Sequence, residues 1–294
     1  MKKCTLEKTK VIAIVGATAS GKTSYAIDLA KKLDGEVISA DSRYVYRELN
    51  IGTSKPTSTD MDGIPHHMID IVNPDFEYSV GLYVKEAKKC ITDIVSRGKV
   101  PIIAGGTGLY FTVLFDNYKL PEVEPDWELR NKLNIMDNST LYNLLLGLDS
   151  SAPEYNILQE DKKRVIRTIE ILKTTGKKLS EVRLKGEEEY DVEWIGLNYD
   201  RQTLYDRINN RVDIMMEQGL VNETKNLIKK WGRIHNIVDT IGYREIIGYL
   251  DNQMSLNEAV EKLKQNSRRY AKRQMTWFRR NDKIKWNIFP EKMQ

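Results

Sequence analysis

An eight-residue motif near the start of the chain has the composition of a phosphate-binding loop. The run GATASGKT at 16–23 fits the pattern G-x-x-x-x-G-K-[ST] and lies between an apolar run and a segment with helical spacing. Its glycines allow successive backbone N–H groups to point inward at a helix N-terminus, which attracts an anion. Lys22 adds a positive charge, and the Thr23 hydroxyl suits Mg²⁺. The motif predicts a diphosphate or triphosphate site formed by Gly16, Ala17, Thr18, Ala19, Ser20, Gly21, Lys22 and Thr23.

A carboxylate follows the second predicted strand. The run at 36–40 ends at Asp41, whereas the run at 100–104 ends in Gly105-Gly106-Thr107-Gly108 without an acid. Motor and switch NTPases usually hold their metal with an acid at the end of another core strand. Ligands of α/β proteins bind at the carboxyl ends of the strands, so Asp41 is expected to face the phosphate site. There it could act as a base toward an acceptor, or it could cap the next turn together with Ser42.

The segments around these residues predict strands that alternate with helices. Continuous apolar, β-prone runs are typical of strands buried on both faces, and they lie at 11–15, 36–40 and 100–104. Helical spacing follows the phosphate loop and recurs at 80–96. This alternation indicates a parallel α/β sheet.

The pattern changes near Phe115. No strong strand is predicted between 116 and 190, a strand is predicted again at 192–197, and the chain after Asp200 is almost entirely helical by spacing. We therefore predict an α/β fold with a P-loop NTPase-like parallel sheet flanked by helices. Its expected domains are a core of 1–115 and 192–294, with C-terminal helices packed on it, and an all-helical insertion at 116–191.

Composition excludes several classes of protein. The 294 residues are 40% hydrophobic and 30% charged, which is ordinary for a globular chain and too apolar for a disordered one. No apolar run of about 18 residues is present, so we expect no contact with a membrane. The two cysteines exclude a disulfide framework, and the N-terminus lacks the apolar stretch of a secretion signal. A cytoplasmic location is expected.

The charges are unevenly distributed. Lys plus Arg number 46 and Asp plus Glu 42, which gives a net charge of only +4. Between Lys262 and Lys285, however, ten basic residues stand beside a single acid, Asp282. A basic stretch in a nearly neutral chain predicts a polyanionic partner that contacts one face.

Eight stretches carry a resemblance to a known family. They read GATASGKT, ISADSRYVYRELNIGTSKP, PHHMIDIVNP, GGTGLY, DKKRVIRTIE, LYDRINNRVDIMMEQGLVNE, IGYRE and YAKRQMTWFRR. In this order they span nearly the whole chain, which resembles the tRNA dimethylallyltransferases, also called tRNA isopentenyltransferases. The chain departs from the family at Tyr44, where Gln is usual. Tyr44 could stack on a base or donate through its hydroxyl, so the difference concerns base recognition and not the reaction.

The resemblance implies transfer of a dimethylallyl group from dimethylallyl diphosphate to N6 of the adenosine 3′-adjacent to the tRNA anticodon (position 37). The phosphate loop would hold the donor's diphosphate with Mg²⁺ through Thr23, and no ATP would be needed. Asp41 would take the proton of the amine as general base. Thr107 matches a position at the reacting centre, and Arg207 is the candidate second cation on the diphosphate. The target base would have to flip out of its stack.

The implied partner is a tRNA anticodon stem-loop bound by a monomer. Such loops are recognised by phosphate contacts and by stacking on aromatic or Arg side chains. The candidate contacts are Asp41, Ser42, Arg43, Tyr44, Lys163, Arg164, Val165, Ile166, Arg167, Arg244, Lys272, Arg273 and Gln274.

Two groups of residues are expected to have structural roles. Tyr270, Trp277 and Phe278 have the spacing i, i+7, i+8, which predicts a stripe that faces the core. His66 and His67 are adjacent, so a shared metal is not expected, and they should pack or form hydrogen bonds near the site.

Three other functions fit parts of the sequence. A P-loop kinase of a small molecule would explain the loop and Asp41, but it would leave the basic stretch unused. An isopentenyltransferase acting on free adenine nucleotides would not need the insertion or the Lys/Arg clusters. An RNA-binding regulator with a vestigial loop would bind RNA in a salt-sensitive way without turnover.

Overall fold

The computed structural model describes residues 8–116, 121, 123–182, 184 and 186–289. It forms two compact units, Met1–Phe115 with Glu189–Gln294 and Asp116–Glu188. The sequence placed the second boundary at 191, but Tyr190 and Asp191 begin a strand of the first unit and pair with residues 9 and 10. The boundary therefore lies three residues earlier than expected.

A six-stranded sheet forms the centre of the described part of the first unit. Its strands are β1 (Thr9–Gly16), β2 (Gly35–Ser39), β3 (His66–His67), β4 (Val100–Gly105), β5 (Tyr190–Tyr199) and β6 (Lys285–Phe289). The strand order is β3-β2-β4-β1-β5-β6, and all neighbours are parallel. This confirms the predicted α/β fold. The sequence does not predict β3, which has two residues, or β6, which begins at the last residue of the basic C-terminal stretch.

Helices flank the sheet and make up the second unit. In the first unit they are α1 (Lys22–Leu33), α2 (Ser58–Met61), α3 (Val80–Ser96), α4 (Gly108–Phe115), α9 (Arg201–Glu217), α10 (Leu220–Trp231), α11 (His235–Val238), α12 (Tyr243–Leu250) and α13 (Leu256–Phe278). In the second unit they are α5 (Trp127–Asn134), α6 (Asn138–Leu148), α7 (Lys162–Thr175) and α8 (Leu179–Val182). Across the described residues, no helix combines the length and the apolar character that crossing a membrane requires.

Strand β1 lies inside the sheet, between β4 and β5, and its side chains are buried on both faces. Val11 and Val15 pack into a core with α3 and α4, while Ile12 and Ile14 pack on the opposite face against α1. A strand with both faces covered reads as a continuous apolar run, which is how it was predicted.

Helices α9 and α13 pack against each other and carry much of the site. The Asp200 carboxylate begins α9 by accepting the N–H groups of Gln202 and Thr203 at 2.9 and 3.0 Å. Ser255 and Glu258 begin α13 with a capping box, in which each side chain bonds the other's backbone N–H.

The second unit has its own core, built by α6 and α7 around residues such as Leu141, Leu145 and Ile169. The carboxylate of Glu170 is fully buried there and is held by Arg130 and Arg167. The described residues of this unit contain no strand, in agreement with the sequence.

Candidate functional site

A cavity of about 680 Å³ opens at the carboxyl ends of β1, β2 and β4. Three loops contribute to its walls: the phosphate loop after β1, residues 41–44 after β2, and Gly105-Gly106 at the end of β4. Side chains from α9 and α13 complete the enclosure. The strand ends therefore bring the predicted loop and Asp41 together, as expected for a parallel sheet.

The phosphate loop has the strongly curved backbone that its sequence predicts. Ala19 and Gly21 both have positive φ, 63° and 79°, and Gly21 is the N-cap of α1. The Lys22 ammonium donates to the Ala17 carbonyl oxygen at 2.6 Å. The Ser20 hydroxyl is buried without a hydrogen-bond partner. Donors at the start of a helix, with an unpaired hydroxyl beside them, suit a phosphate group.

Two arginines of α9 lie against this loop. Arg207 Nε donates to the Ala19 carbonyl oxygen at 2.8 Å, and its guanidinium lies 4.7 Å from the centre of the Tyr199 ring. Arg211 donates to the Thr18 hydroxyl at 3.3 Å. Residues four apart share a helix face, so Arg211 follows from Arg207 by spacing, although the sequence analysis missed it.

Lys22 is half-buried at the wall of the cavity, with charges of both signs nearby. Desolvation lowers the pKa of Lys22 to about 7, and the charge of Arg211 acts in the same direction, while the carboxylate of Asp41 opposes them. The basic side chains of Lys22, Arg207 and Arg211 together form a strongly anion-attracting surface at this loop. An incoming diphosphate would therefore raise the pKa of Lys22 again.

Asp41 lies in the same cavity. Desolvation raises the pKa of its carboxyl group, against the effect of the backbone N–H groups of Arg43 and Tyr44 and the charge of Lys22. The Arg43 N–H donates to Asp41 Oδ1 at 2.8 Å, which fixes the carboxylate. A carboxylate with a raised pKa is a stronger base, so this geometry suits proton abstraction.

Thr107 lies directly behind the loops that line the cavity. Its hydroxyl accepts the Ser42 N–H at 3.0 Å, its own N–H donates to Ala40 at 3.1 Å, and it forms a hydrogen bond with the Tyr270 hydroxyl. A Cβ at Gly105 would come within 2.2 Å of the Ala40 oxygen, so only glycine permits this approach of the two strand ends. Thr107 thus joins the loop of Asp41 to α13.

Gln274 of α13 connects two loops of the site. Its Oε1 accepts the Thr18 N–H at 2.8 Å, and its Nε2 donates to the Gly106 oxygen at 2.9 Å. The side chain is buried, and a Cβ at Gly106 would lie 2.1 Å from Nε2. Both ends of the amide are therefore used within the protein.

We predict that Gln274→Leu lowers both stability and turnover. The substitution leaves the half-buried Thr18 N–H and the buried Gly106 carbonyl oxygen without partners, and the buried group alone costs about 1–3 kcal/mol. The midpoint temperature of thermal unfolding and kcat should both fall. Gln265→Leu, at an exposed position of the same helix, is the control. A Gln274→Leu protein with normal stability and turnover would contradict this role.

A model of the IPP transferase family matches residues 44–281 of the chain. The chain belongs to this family. It is 47% identical to the tRNA dimethylallyltransferase of Alkaliphilus oremlandii over 287 residues, which cover 95% of this chain and 91% of the relative. It is 48% identical to the tRNA dimethylallyltransferase of Bacillus cereus, with 96% and 90% covered.

Solved structures of the family have the same fold. The full-length tRNA isopentenylpyrophosphate transferase of Bacillus halodurans superposes with a TM-score of 0.72 at 42% identity, covering 96% of this chain and 90% of that one. A eukaryotic dimethylallyltransferase acting on tRNA superposes with a TM-score of 0.82 at 31% identity, covering 95% and 74%.

The residues predicted to contact tRNA fall into three groups. The first lines the cavity and comprises Asp41, Ser42, Arg43, Tyr44, Arg244, Arg273 and Gln274. Lys272 is exposed on α13. The third group lies on α7 of the second unit. There Val165 and Ile166 are buried in the core, so their side chains are not available to an RNA surface.

The structure corrects two structural expectations. Of the expected core-facing stripe on α13, only Phe278 is buried; Tyr270 lines the cavity, and Trp277 is 40% exposed. His66 and His67 do not line the cavity. They form edge strand β3, and His67 bonds Glu36 at 2.8 Å, at the opposite end of β2 from Asp41.

Proposed function

We propose that this protein transfers the dimethylallyl group of dimethylallyl diphosphate to N6 of the adenosine at position 37 of certain tRNAs, which gives N6-isopentenyladenosine and diphosphate. The observation that carries the proposal is that Asp41, a carboxylate with a raised pKa, shares one cavity with a phosphate loop and its cations. In this cavity Asp41 would act as the base, and the phosphate loop would hold the leaving group. The family relationship supports the same reaction.

The diphosphate of the donor would bind at the phosphate loop. Backbone N–H groups at the start of α1, together with Lys22, Arg207 and Arg211, would stabilise the charge that develops as the allylic C–O bond breaks. The C–O bond of such a donor ionises readily once its leaving group is stabilised. Binding and catalysis would thus use the same cations.

The acceptor would be the exocyclic amine of adenine. Its lone pair is delocalised into the ring, so it is a weak nucleophile and needs help in losing its proton. As the N–C bond forms, Asp41 would accept that proton. Thr107 would keep the Asp41 loop in place through Ser42.

The residues present would suit a magnesium ion. Thr23 lines the cavity at the start of α1, and hydroxyl and phosphate oxygens are ligands that Mg²⁺ prefers. When bound, Mg²⁺ would neutralise part of the diphosphate charge. Thr23 would be its protein ligand.

A label-transfer assay tests the proposal. The protein is incubated with radiolabelled dimethylallyl diphosphate, Mg²⁺ and unmodified tRNA, without ATP, and the RNA is digested to nucleosides. Label on N6 of the adenosine 3′ of the anticodon is the expected result. Label on added AMP in place of RNA would favour a nucleotide isopentenyltransferase. ATP consumption with phosphorylation of a small acceptor would favour a kinase.

We predict that the basic residues of α13 contribute to tRNA binding through phosphates. The double variant Lys272→Ala with Arg273→Ala should weaken tRNA binding. The negative slope of the logarithm of the binding constant against the logarithm of the salt concentration should become less steep by about 2, about 1 for each lost phosphate contact. Lys225→Ala with Lys229→Ala, both exposed on α10, is the control. Unchanged affinity and slope in the α13 variant would assign these side chains no role in RNA binding.

A further inference from the structure

One wall of the cavity consists of Tyr44 and the segment 52–54. The Tyr44 hydroxyl donates to the Ser54 carbonyl oxygen at 2.7 Å. Because this donor is engaged, the part of Tyr44 that remains for a ligand is mainly the face of its ring. Tyr44 and Asp41 line the same cavity. Burial raises the pKa of the Tyr44 hydroxyl, and the charge of Asp41 acts in the same direction.

Glu223 of α10 holds this wall from behind. Its Oε2 accepts the Ile51 N–H at 2.9 Å, and its Oε1 accepts the Gly52 N–H at 3.0 Å. The buried hydroxyl of Tyr243 donates to the same Oε1 at 2.7 Å. One carboxylate thus receives two consecutive backbone N–H groups and a tyrosine hydroxyl, which fixes the position of the segment in two directions.

The segment held in this way contains a strained backbone conformation. Ser54 has a φ of 54°, an unusual value for a residue with a side chain, and its hydroxyl is buried without a partner. A Cβ at Gly52 would come within 2.4 Å of the Tyr243 ring. Strained conformations of this kind are kept by their surroundings and are typical of functional sites.

We propose that Glu223 is a positioning residue for the acceptor base: by holding residues 51–54 it fixes the ring of Tyr44 as the stacking surface for the adenine beside Asp41. The inference rests on the proposed function, because it requires a flipped purine in this cavity. Unstacked bases are commonly held on aromatic rings, and stacking leaves the amine at the edge of the purine free to react. Glu223 itself would touch neither substrate.

The variants Glu223→Gln, Tyr44→Ala and their combination test this role. Glutamine keeps the size of the side chain but replaces one acceptor oxygen with an NH₂ group, which cannot accept an N–H. We expect kcat/KM for tRNA to fall about ten- to hundred-fold, because small displacements at a reacting centre have effects of that size. The Kd for dimethylallyl diphosphate should stay within about twofold. In the Tyr44→Ala background, Glu223→Gln should cost less than about twofold more, because coupled residues are not additive.

A spectroscopic measurement separates positioning from general destabilisation. An anticodon stem-loop with 2-aminopurine at the acceptor position gains fluorescence when the base leaves its stack in the RNA, and this gain should be quenched in the wild-type complex, where the base stacks on Tyr44, and restored in the Tyr44→Ala complex. Glu223→Gln should show less quenching, and Tyr243→Phe, which removes one of the three donors, should show an intermediate loss. Glu217→Gln, an exposed glutamate on α9, is the matched control and should behave like wild type.

Several outcomes would overturn the proposal. They are unchanged kcat/KM in Glu223→Gln, an equal loss of affinity for dimethylallyl diphosphate, or effects that add fully to those of Tyr44→Ala. The proposed function is tested separately by the wild-type protein in the same assay. If wild type transfers no label to tRNA but quenching still depends on Glu223, the reaction is wrong and the positioning role stands.

Discussion

The Asp41→Asn variant should lose about 10²- to 10⁴-fold in kcat, the usual contribution of general acid–base catalysis. Asparagine has nearly the same shape and can still accept the Arg43 N–H, so the loop should keep its structure. It cannot take the proton of the amine. Single-turnover label transfer, with separate binding assays for tRNA and dimethylallyl diphosphate, measures the loss and shows that both substrates still bind.

The pH profile gives a second test of the same residue. Asp41 acts only when deprotonated, so single-turnover rates of the wild-type protein should fall as the pH drops through its raised pKa. The variant should lack this acidic limb. Asp239→Asn is the control, because Asp239 also lines the cavity but pairs with His235. An Asp41→Asn protein that retains wild-type turnover would exclude Asp41 as the base.

Lys22→Met should weaken binding of dimethylallyl diphosphate about ten- to hundred-fold, since hydrogen bonds to charged groups contribute about 1.5–3 kcal/mol. The wild-type affinity should itself depend on pH. Below pH 7, Lys22 is protonated with or without ligand. Above pH 7 it is mainly neutral in the free protein, because its pKa is lowered to about 7, and the diphosphate must recharge it. Affinity should therefore fall by up to tenfold per pH unit above 7.

Calorimetry can count the proton that this argument requires. Titrations of dimethylallyl diphosphate at pH 8, in two buffers with different ionisation enthalpies, should show uptake approaching one proton per site. Uptake at pH 6 should be much smaller. Lys22→Met should lack the extra uptake at pH 8. Subtracting the variant's values from those of the wild-type protein removes the contribution of the ligand's own ionisation. Equal uptake in the variant and the wild-type protein would assign the proton to another group.

The parts of the site that were predicted from the sequence are formed by residues that lie next to one another in the chain. The phosphate loop is eight residues long, and Asp41 follows directly on an apolar strand. Parallel strands end at one edge of the sheet, so local patterns and topology together were enough to bring these two features into one cavity. Arg207 was placed by family resemblance, and its contact with Ala19 agrees with a place at the loop.

The parts that were missed depend on distant contacts. Gln274 was predicted as a tRNA contact, but its link between two loops was not, because nothing near it in the sequence distinguishes it from an exposed polar residue in a basic helix. It is buried because α13 passes close to Gly106. Tyr270 and Trp277 have core-like spacing, yet the cavity and the solvent take up that face of α13. Strand β6 reads KWNIF and is only partly covered, so it lacks the continuous, fully buried apolar run that identified β1.

The two hydrogen bonds by which Gln274 connects the phosphate loop to Gly106 affect the order in which the site is completed during protein synthesis. The Thr18 N–H and the oxygen that it bonds are 256 residues apart. A ribosome makes the chain from its N-terminus, so the phosphate loop leaves the exit tunnel long before Gln274 has been added. A nascent chain thus carries a phosphate loop that is not yet joined to the Gly106 loop. Activity should arise only in chains that extend beyond Gln274, and translation interrupted before that residue should produce no working fragments.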